Sequence, residues 1–466
     1  MPCFSSNQLA EWTGGNWSAQ PRGDINGFAT DSRTLSPGQA FVALKTDRRD
    51  GHNFLGDALA GGAPAAIVSA ARADVALPQL RVDDPLRALQ TIGREHRRAS
   101  GAHVVGITGS AGKTSTKNLL ALLLGGPPGV IATGGNLNNF IGVPLTLARI
   151  EPGSTRFAVV EAGISERGEM RGLAGMIMPD SGVVTLVGPA HLEQLGSIDA
   201  IAGEKADLLR HVPSSGVVAF PHQAWTHEPF RDLAAHAIVA LPPDASSPAD
   251  SERTRFVPFF LEHGDTHTEI LLTGHAGARS FRMRRVSGGM GQNAALAILI
   301  ASELGVCDEA IRTRLGDWQP AALRGEVRTV AGRLVYLDCY NANPASMRDA
   351  IEAFNALATS RAPAGAARLF VLGCMEELGP DSPRYHRELG RWLRLGTADR
   401  AIAIGSQAEA LAAGLAESGK GSVTVAQDVE EVRDTVISFA GPVFVKGSRR
   451  YRLETLFPVE AGAAAH

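Results

Sequence analysis

An α/β fold in three units is what this 466-residue sequence predicts. Two observations carry the prediction. Short, Val-rich apolar runs recur along the middle of the chain, "HVVGIT", "FAVVEAG", "SGVVTLVG" and "SGVVAF", each too short for an isolated helix and each followed by a helical segment. That alternation is the signature of a mostly parallel sheet covered by helices on both faces. Past residue 321 it begins afresh with "RLVYLDCYNANP", "ARLFVLGCM", "RAIAIG", "SVTVA" and "PVFVKGS", which makes a second, Rossmann-like α/β unit with its own sheet.

The elements follow in order. In residues 1–84 "AFVAL" and "AAIVSA" read as short buried strands, "FLGDALAGGA" as a helix stopped by glycines, and "RVDDP" as the end of a strand. This is a small N-terminal α/β unit. Pro85 suits the first turn of a helix running "LRALQTIGREHRRAS". The second unit, residues 85–320, holds the Val-rich strands. Residues 255–285 alternate polar and apolar like antiparallel hairpins, and the helix "GQNAALAILIASELG" follows. The third unit is residues 321–466, with a frayed tail expected at "VEAGAAAH".

Composition narrows the function. Hydrophobic residues are 44%, charged residues 20% and net charge is −3, ordinary for a globular protein and without the basic excess of a nucleic-acid or membrane-surface binder. The four cysteines form no C-x-x-C pair, so neither a zinc site nor a disulfide framework is expected, and free thiols suit a reducing cytoplasm. The first residues, "MPCFSSNQLAEWTGG", lack the pattern of a secretory signal, and no apolar run approaches the ~18 residues of a membrane span.

Chemistry enters at "VVGITGSAGKTSTKNLL". A strand, a glycine turn and a helix follow one another. Glycines in such a turn let backbone N–H groups approach phosphate oxygens, and the helix N-terminus adds positive potential. Gly109, Ser110, Ala111 and Gly112 form the turn, Lys113 would reach the β/γ phosphates, and Thr114 and Ser115 open the helix. The common spacing G-x-x-x-x-G-K-[ST] needs a glycine at 107, where this chain has Ile107. The loop is therefore the shorter T-G-S-x-G-K-T variant. Glu161 ends the strand "FAVVE" and His191 follows "SGVVTLVGPA", both on the carboxyl edge of the sheet where ligands gather.

The T-G-S-x-G-K-T loop resembles the ATP loop of the Mur ligases and the related folylpolyglutamate synthetases, and Ser110 with Lys117 resembles the branch of the Mur ligases that adds D-Ala-D-Ala to UDP-MurNAc-tripeptide. Further segments resemble family motifs in the family's order. "TGGNLNNFIGVP" brings Asn138 and Asn139, "VVEAG" Glu161, "AHLE" His191, and "IAGEKADLL" the lysine Lys205. "GMGQNAALAI" supplies Asn293 and "LRGEV" Arg324. "LDCYNANPASM" supplies Asp338, Tyr340, Asn341 and Asn343, and "VLGCMEELGPDSPRYH" supplies His386, with Cys374 where the family usually has Asp. "VFVKGSR" contains Lys446, Ser448 and Arg449, and "TDSRTLSPGQAFVALKTDRRDGHNF" contains Ser32 and Arg33, with Thr46 where glycine is usual.

The resemblance implies a reaction and its parts. ATP with Mg2+ would activate a carboxylate of UDP-MurNAc-tripeptide as an acyl phosphate, and the amine of D-Ala-D-Ala would displace phosphate. Thr114, Glu161 and His191 would serve the metal; Lys113, Glu161, His191 and Lys205 the chemistry, with Lys205 carbamylated. Gly109–Ser115, Asn293, Arg324 and Asp338 would bind ATP. Ser32 and Arg33 would meet the UDP end. Asn138, Asn139, Tyr340, Asn341, Asn343, His386, Lys446, Ser448 and Arg449 would face the joining region, His386 being open between a base and a structural histidine. The first unit would bind the UDP substrate, the second ATP, and the third the dipeptide. A cytoplasmic monomer is expected, without nucleic-acid partners or membrane insertion. Two rival readings remain: another Mur-type or folylpolyglutamate-type ligase, and a regulatory protein that binds ATP without transferring its phosphate.

Overall fold

The computed structural model describes residues 2–21, 23–246, 249–274 and 277–458; the expected frayed tail at 459–466 lies outside them, as do residues 275 and 276 of the predicted hairpins. The described residues form three sheets of five, nine and six strands and one two-stranded ribbon. The fold is α/β throughout, as the sequence predicts.

The first sheet is built from short strands, including Gln39–Val42 and Ala66–Val68, whose residues are almost wholly buried. Thr46, where the family has glycine, lies in the two-stranded ribbon, its hydroxyl accepting from the Arg49 N–H at 3.2 Å. It is exposed, so the side chain meets no obstacle. The helix Pro85–Ser100 joins the first two units. Its Ala88, Leu89 and Ile92 belong to the first core, while Arg97 near its end pairs with Asp180 at 2.7 Å on the central unit.

The nine-stranded sheet carries the phosphate loop. Its strand His103–Thr108 lies between Phe157–Glu161 and Ser181–Val184, all parallel. From that strand the chain crosses to Val130–Ala132 beyond Phe157–Glu161, then returns and continues on the other side. The reversal opens a crevice at the carboxyl ends of the strands. The predicted hairpins Thr254–His263, His267–Gly274 and Gly277–Arg284 do pair antiparallel. They extend the central sheet, because the start of Thr254–His263 also pairs parallel with His236–Leu241. The helix Gly288–Glu303 is apolar all round and buried from Asn293 to Ala301 against the phosphate-loop helix, as such a sequence requires.

In the third sheet Arg333–Asp338, Val443–Lys446, Leu369–Gly373, Arg400–Ile404 and Ser422–Ala426 are parallel neighbours in that order. These are the five predicted strands. A sixth, Glu326–Val330, pairs antiparallel with Arg333–Asp338. Among the described residues no helix is long and apolar enough to cross a membrane.

Candidate active site

The phosphate loop closes by hydrogen bonds that leave its upper face free. Gly109 has φ +152°, and a Cβ there would fall 1.9 Å from Thr185 Oγ1; Gly112 has φ +79°, and a Cβ would fall 2.3 Å from Asn293 Nδ2. Both positions therefore demand glycine, by conformation and by space. Ser110 fastens the loop: its hydroxyl donates to Gly188 O at 2.7 Å and its N–H donates to Leu186 O at 2.8 Å. Ala111 O accepts from the Thr185 hydroxyl at 2.5 Å. Lys113 opens the helix Lys113–Leu123 and folds back to donate to Gly109 O at 2.8 Å. Burial pulls its pKa down, opposed by the negative charge of Glu161 and assisted by Arg324.

Glu161, 2% exposed, stands at the end of its strand beside the loop. Its carboxylate accepts from the Thr114 hydroxyl at 2.9 Å and from Asn138 Nδ2 at 2.8 Å, and its N–H donates to Thr133 Oγ1 at 2.9 Å. Lys117, a turn beyond Lys113, donates to Thr133 O from a buried position. Thr114 and Glu161 present hard oxygen donors at one place, which suits a magnesium ion sharing its ligands with substrate phosphates. Asn139 faces the cleft too, and its carbonyl oxygen accepts from the N–H groups of Ile141 and Gly142.

His191 lines the same cleft but is engaged elsewhere: Nδ1 lies 2.5 Å from Glu377 Oε2 of the third unit. That contact lowers the Glu377 pKa. Both residues hold positive φ, 54° for His191 and 62° for Glu377, a conformation that costs a residue with a Cβ about 1–3 kcal/mol. Among the described residues no group of three or more His, Cys, Asp or Glu side chains converges.

The third unit forms the opposite wall of a cleft of about 1330 Å³. Asn343 caps the helix Pro344–Arg361 and donates Nδ2 to Ser110 O at 3.0 Å, bridging the two units at the phosphate loop. Arg324 lies over the Tyr340 ring at 3.8 Å. Asp338 and Lys446, at the ends of adjacent strands, pair at 2.7 Å, and Lys446 also donates to Asn341 O at 3.0 Å. Asn293, Arg324, Asp338, Tyr340, Asn341 and Lys446 all border this space with the loop residues Ser110–Ser115.

Other expected site residues lie outside the cleft lining. Gly109, the first glycine of the loop, does not reach the lining. Lys205 is buried on the helix Ile198–Arg210, with no hydrogen-bond or ion-pair partner among the described residues. Burial and the charge of Lys113 hold its pKa well below the lysine range, with Glu204 opposing. Ser32 and Arg33 are on the first unit, where Arg33 pairs with Asp31 at 2.6 Å. Ser448 is buried and accepts from the Arg450 N–H; Arg449 is exposed and pairs with Glu454 at 3.0 Å. His386, expected near the substrate, is 1% exposed and fully used inside the third unit: Nε2 accepts from the Met375 N–H at 2.8 Å and Nδ1 donates to Ser382 O at 2.7 Å. The structure does not bring it to the cleft. Cys374 is also buried, its sulfur accepting from the Gln407 N–H and its pKa raised by burial to about 11, so the position does structural work. Arg284, Arg285 and Asp349 border the cleft without having been marked in the sequence. The run "RMRRV" and the helix "PASMRDAIEAF" carry no local pattern that announces them.

A phosphate loop, a buried carboxylate beside its threonine and a facing α/β unit that reaches the loop define a phosphate-loop enzyme acting between two units. Comparison with known proteins names the kind. Residues 24–97 match the Mur ligase family catalytic domain, 107–300 the Mur ligase middle domain, and 323–449 the Mur ligase glutamate ligase domain. The UDP-N-acetylmuramoyl-tripeptide--D-alanyl-D-alanine ligase of Escherichia coli K12 is 31% identical over 92% of this chain and 92% of its own. A crystal structure of MurF from Acinetobacter baumannii superposes with a TM-score of 0.85 at 30% identity, covering 98% of each chain. MurF from Thermotoga maritima, solved in complex with ADP, gives a TM-score of 0.77 at 25% identity over 93% of this chain and 96% of that one. The chain belongs to the Mur ligase family.

Proposed function

We propose that this chain is an ATP-dependent carbon–nitrogen ligase that joins D-alanyl-D-alanine to UDP-N-acetylmuramoyl-tripeptide in peptidoglycan precursor synthesis. The observation that carries the reading is the shared cleft, with Lys113 and Thr114 on one wall and Tyr340, Asn341 and Lys446 on the other. Relatives bearing that activity in their names match along nearly the whole chain.

Two steps suffice. A carboxylate oxygen of the tripeptide attacks the γ-phosphorus of ATP; the new O–P bond forms as the β–γ bridge breaks and ADP leaves. The dipeptide amine then attacks the acyl carbon, the C–N bond forms, phosphate departs with the C–O electrons, and the amine gives up a proton. The first step brings anions together, and at about 4 Å each unit pair repels by roughly 4 kcal/mol at an effective dielectric near 20. Lys113, the helix N-terminus behind it and Arg324 offset this. Thr114 and Glu161 would hold the magnesium ion, which when bound neutralises phosphate charge. Asn293 would meet the base, and Asp338 the ribose.

Lys205 would be carbamylated. Burial lowers its pKa and so favours the neutral amine, and a neutral amine adds to carbon dioxide, forming an N–C bond and releasing one proton. Units 1–84, 85–320 and 321–466 would take the UDP substrate, ATP and the dipeptide, and a cytoplasmic monomer fits a chain with four free cysteines and −3 net charge.

The deciding assay is phosphate release. It should require ATP, the UDP-tripeptide and D-Ala-D-Ala together. Release with glutamate or a folate acceptor in their place, or ATP binding without any release, would sink the proposal.

A further inference from the structure

The helix Gly288–Glu303 begins at the cleft, and its N-terminus is completed from the other unit. Ser287 caps it in the usual way, accepting from the Met290 N–H at 3.2 Å. The Gly289 N–H, another of the unpaired groups every helix start exposes, donates to Asp349 Oδ1 at 2.7 Å. Asp349 stands on the third unit's helix Pro344–Arg361. The approach is close: a Cβ on Gly289 would lie 2.8 Å from Asp349 Oδ2, so a side chain there would push the carboxylate aside. The same third-unit helix reaches the phosphate loop through its cap, Asn343.

These contacts form a line. Asp349 holds Gly289 at the start of a rigid, buried helix. One turn on, that helix carries Asn293, whose amide fills the space that Gly112 of the loop leaves open. Burial raises the Asp349 pKa, opposed by the Gly289 N–H and the Ser287 hydroxyl, with Asp338 and Lys446 acting from farther off. A carboxylate withdrawn from water costs stability unless it is hydrogen-bonded, and a helix N-terminus rewards negative charge.

We propose that Asp349 is a positioning residue that couples nucleotide binding to docking of the third unit, by completing the N-terminus of the helix that carries Asn293. The inference rests on the reading of the phosphate loop and Asn293 as the ATP site. With the third unit away, the Gly289 N–H faces water and the helix start loses a charge-assisted hydrogen bond. Docking restores it. A nucleotide that fixes Asn293 then favours docking, and docking favours the nucleotide by the same factor.

The test uses the full chain with D349A and the isosteric D349N. A non-hydrolysable ATP analogue is titrated by calorimetry, compaction is followed by small-angle scattering with and without the analogue, and kcat and KM are measured for ATP and dipeptide. D349A should weaken the analogue by about tenfold and abolish the compaction it drives. It should raise KM for ATP and dipeptide while kcat at saturation falls by less than about threefold. D349N keeps a carbonyl acceptor and should recover part of each effect. Wild-type affinity and compaction in both variants would overturn the inference, as would a lowered melting temperature with the coupling intact. The binding and scattering readouts need no turnover. A wild-type chain that binds the analogue and compacts but ligates nothing therefore overturns the proposed function and leaves the coupling standing. One that binds no analogue overturns both.

Discussion

Two lysines of this molecule are equally buried and oppositely treated. Lys446 is 1% exposed and Lys205 3%. Lys446 stands at a strand end with Asp338 at 2.7 Å and Asn341 O at 3.0 Å, so its charge is answered twice. Lys205 sits on a helix and has no hydrogen-bond or ion-pair partner among the described residues, and burial and Lys113 push its pKa far down. Lys113 falls between them, with one carbonyl partner. The difference separates two uses of a buried amine. A paired one fixes structure, because breaking the pair leaves a second charge stranded. An unpaired one costs stability in the folded state and is kept where chemistry needs it.

The largest effect should come from the intermediate case. Lys113→Met should lower kcat by about 10³-fold or more, since it removes charge aimed at the transferring phosphoryl group, while the melting temperature holds or rises. An active Lys113→Met would place phosphate binding elsewhere and dissolve the comparison.

Lys205→Met sharpens it. Activity should fall by about 10²-fold, as for other groups that support a metal's ligands, and short carboxylates added to Lys205→Ala should restore part of it. Stability should rise in the same variant. Without the carbamate, the folded pKa of Lys205 lies below its unfolded value of about 10.4, so between the two the unfolded chain binds more protons and wild-type stability climbs with pH. The variant should lose that slope. Urea midpoints from neutral pH upward would decide it; a destabilised Lys205→Met with the slope intact contradicts the reading.

Lys446→Met should do the reverse, destabilising the chain by about 3 kcal/mol because Asp338 is left without its partner. The double variant with Asp338→Asn should recover much of that loss in stability, while activity stays low.

The same contrast marks what could be read in the sequence. The phosphate loop is legible because its parts are consecutive: strand, glycines and helix impose a local geometry that Gly109, Gly112 and Lys113 spell out. The parallel strands are legible because burial on both faces demands unbroken apolar runs. The edge strand Glu326–Val330 is not, since it alternates half-buried and exposed residues and holds no such run. Its hairpin does leave a trace at Ala331-Gly332, both at positive φ between the paired Val330 and Arg333. Asp349 is invisible for a different reason: its partner Gly289 is 60 residues away and the contact exists only once two units meet. The state of a lysine is equally hidden, because Lys113, Lys205 and Lys446 are one letter with three environments.

His386 is the smallest test of the distinction and the cleanest. Both ring nitrogens are satisfied inside the third unit, and burial, opposed by the Ser382 carbonyl and Glu376, lowers its pKa. The unfolded histidine takes a proton near pH 6.5, which the folded one resists, so this group's contribution to stability is lost as pH falls below about 6.5. His386→Gln should cost about 1–2 kcal/mol near neutral pH from the lost hydrogen bonds, and the gap to wild type should narrow on acidification. KM and kcat should hold within about twofold once the protein is folded. A kcat that collapses in a variant of unchanged stability would instead make His386 the base and move the joining chemistry toward it.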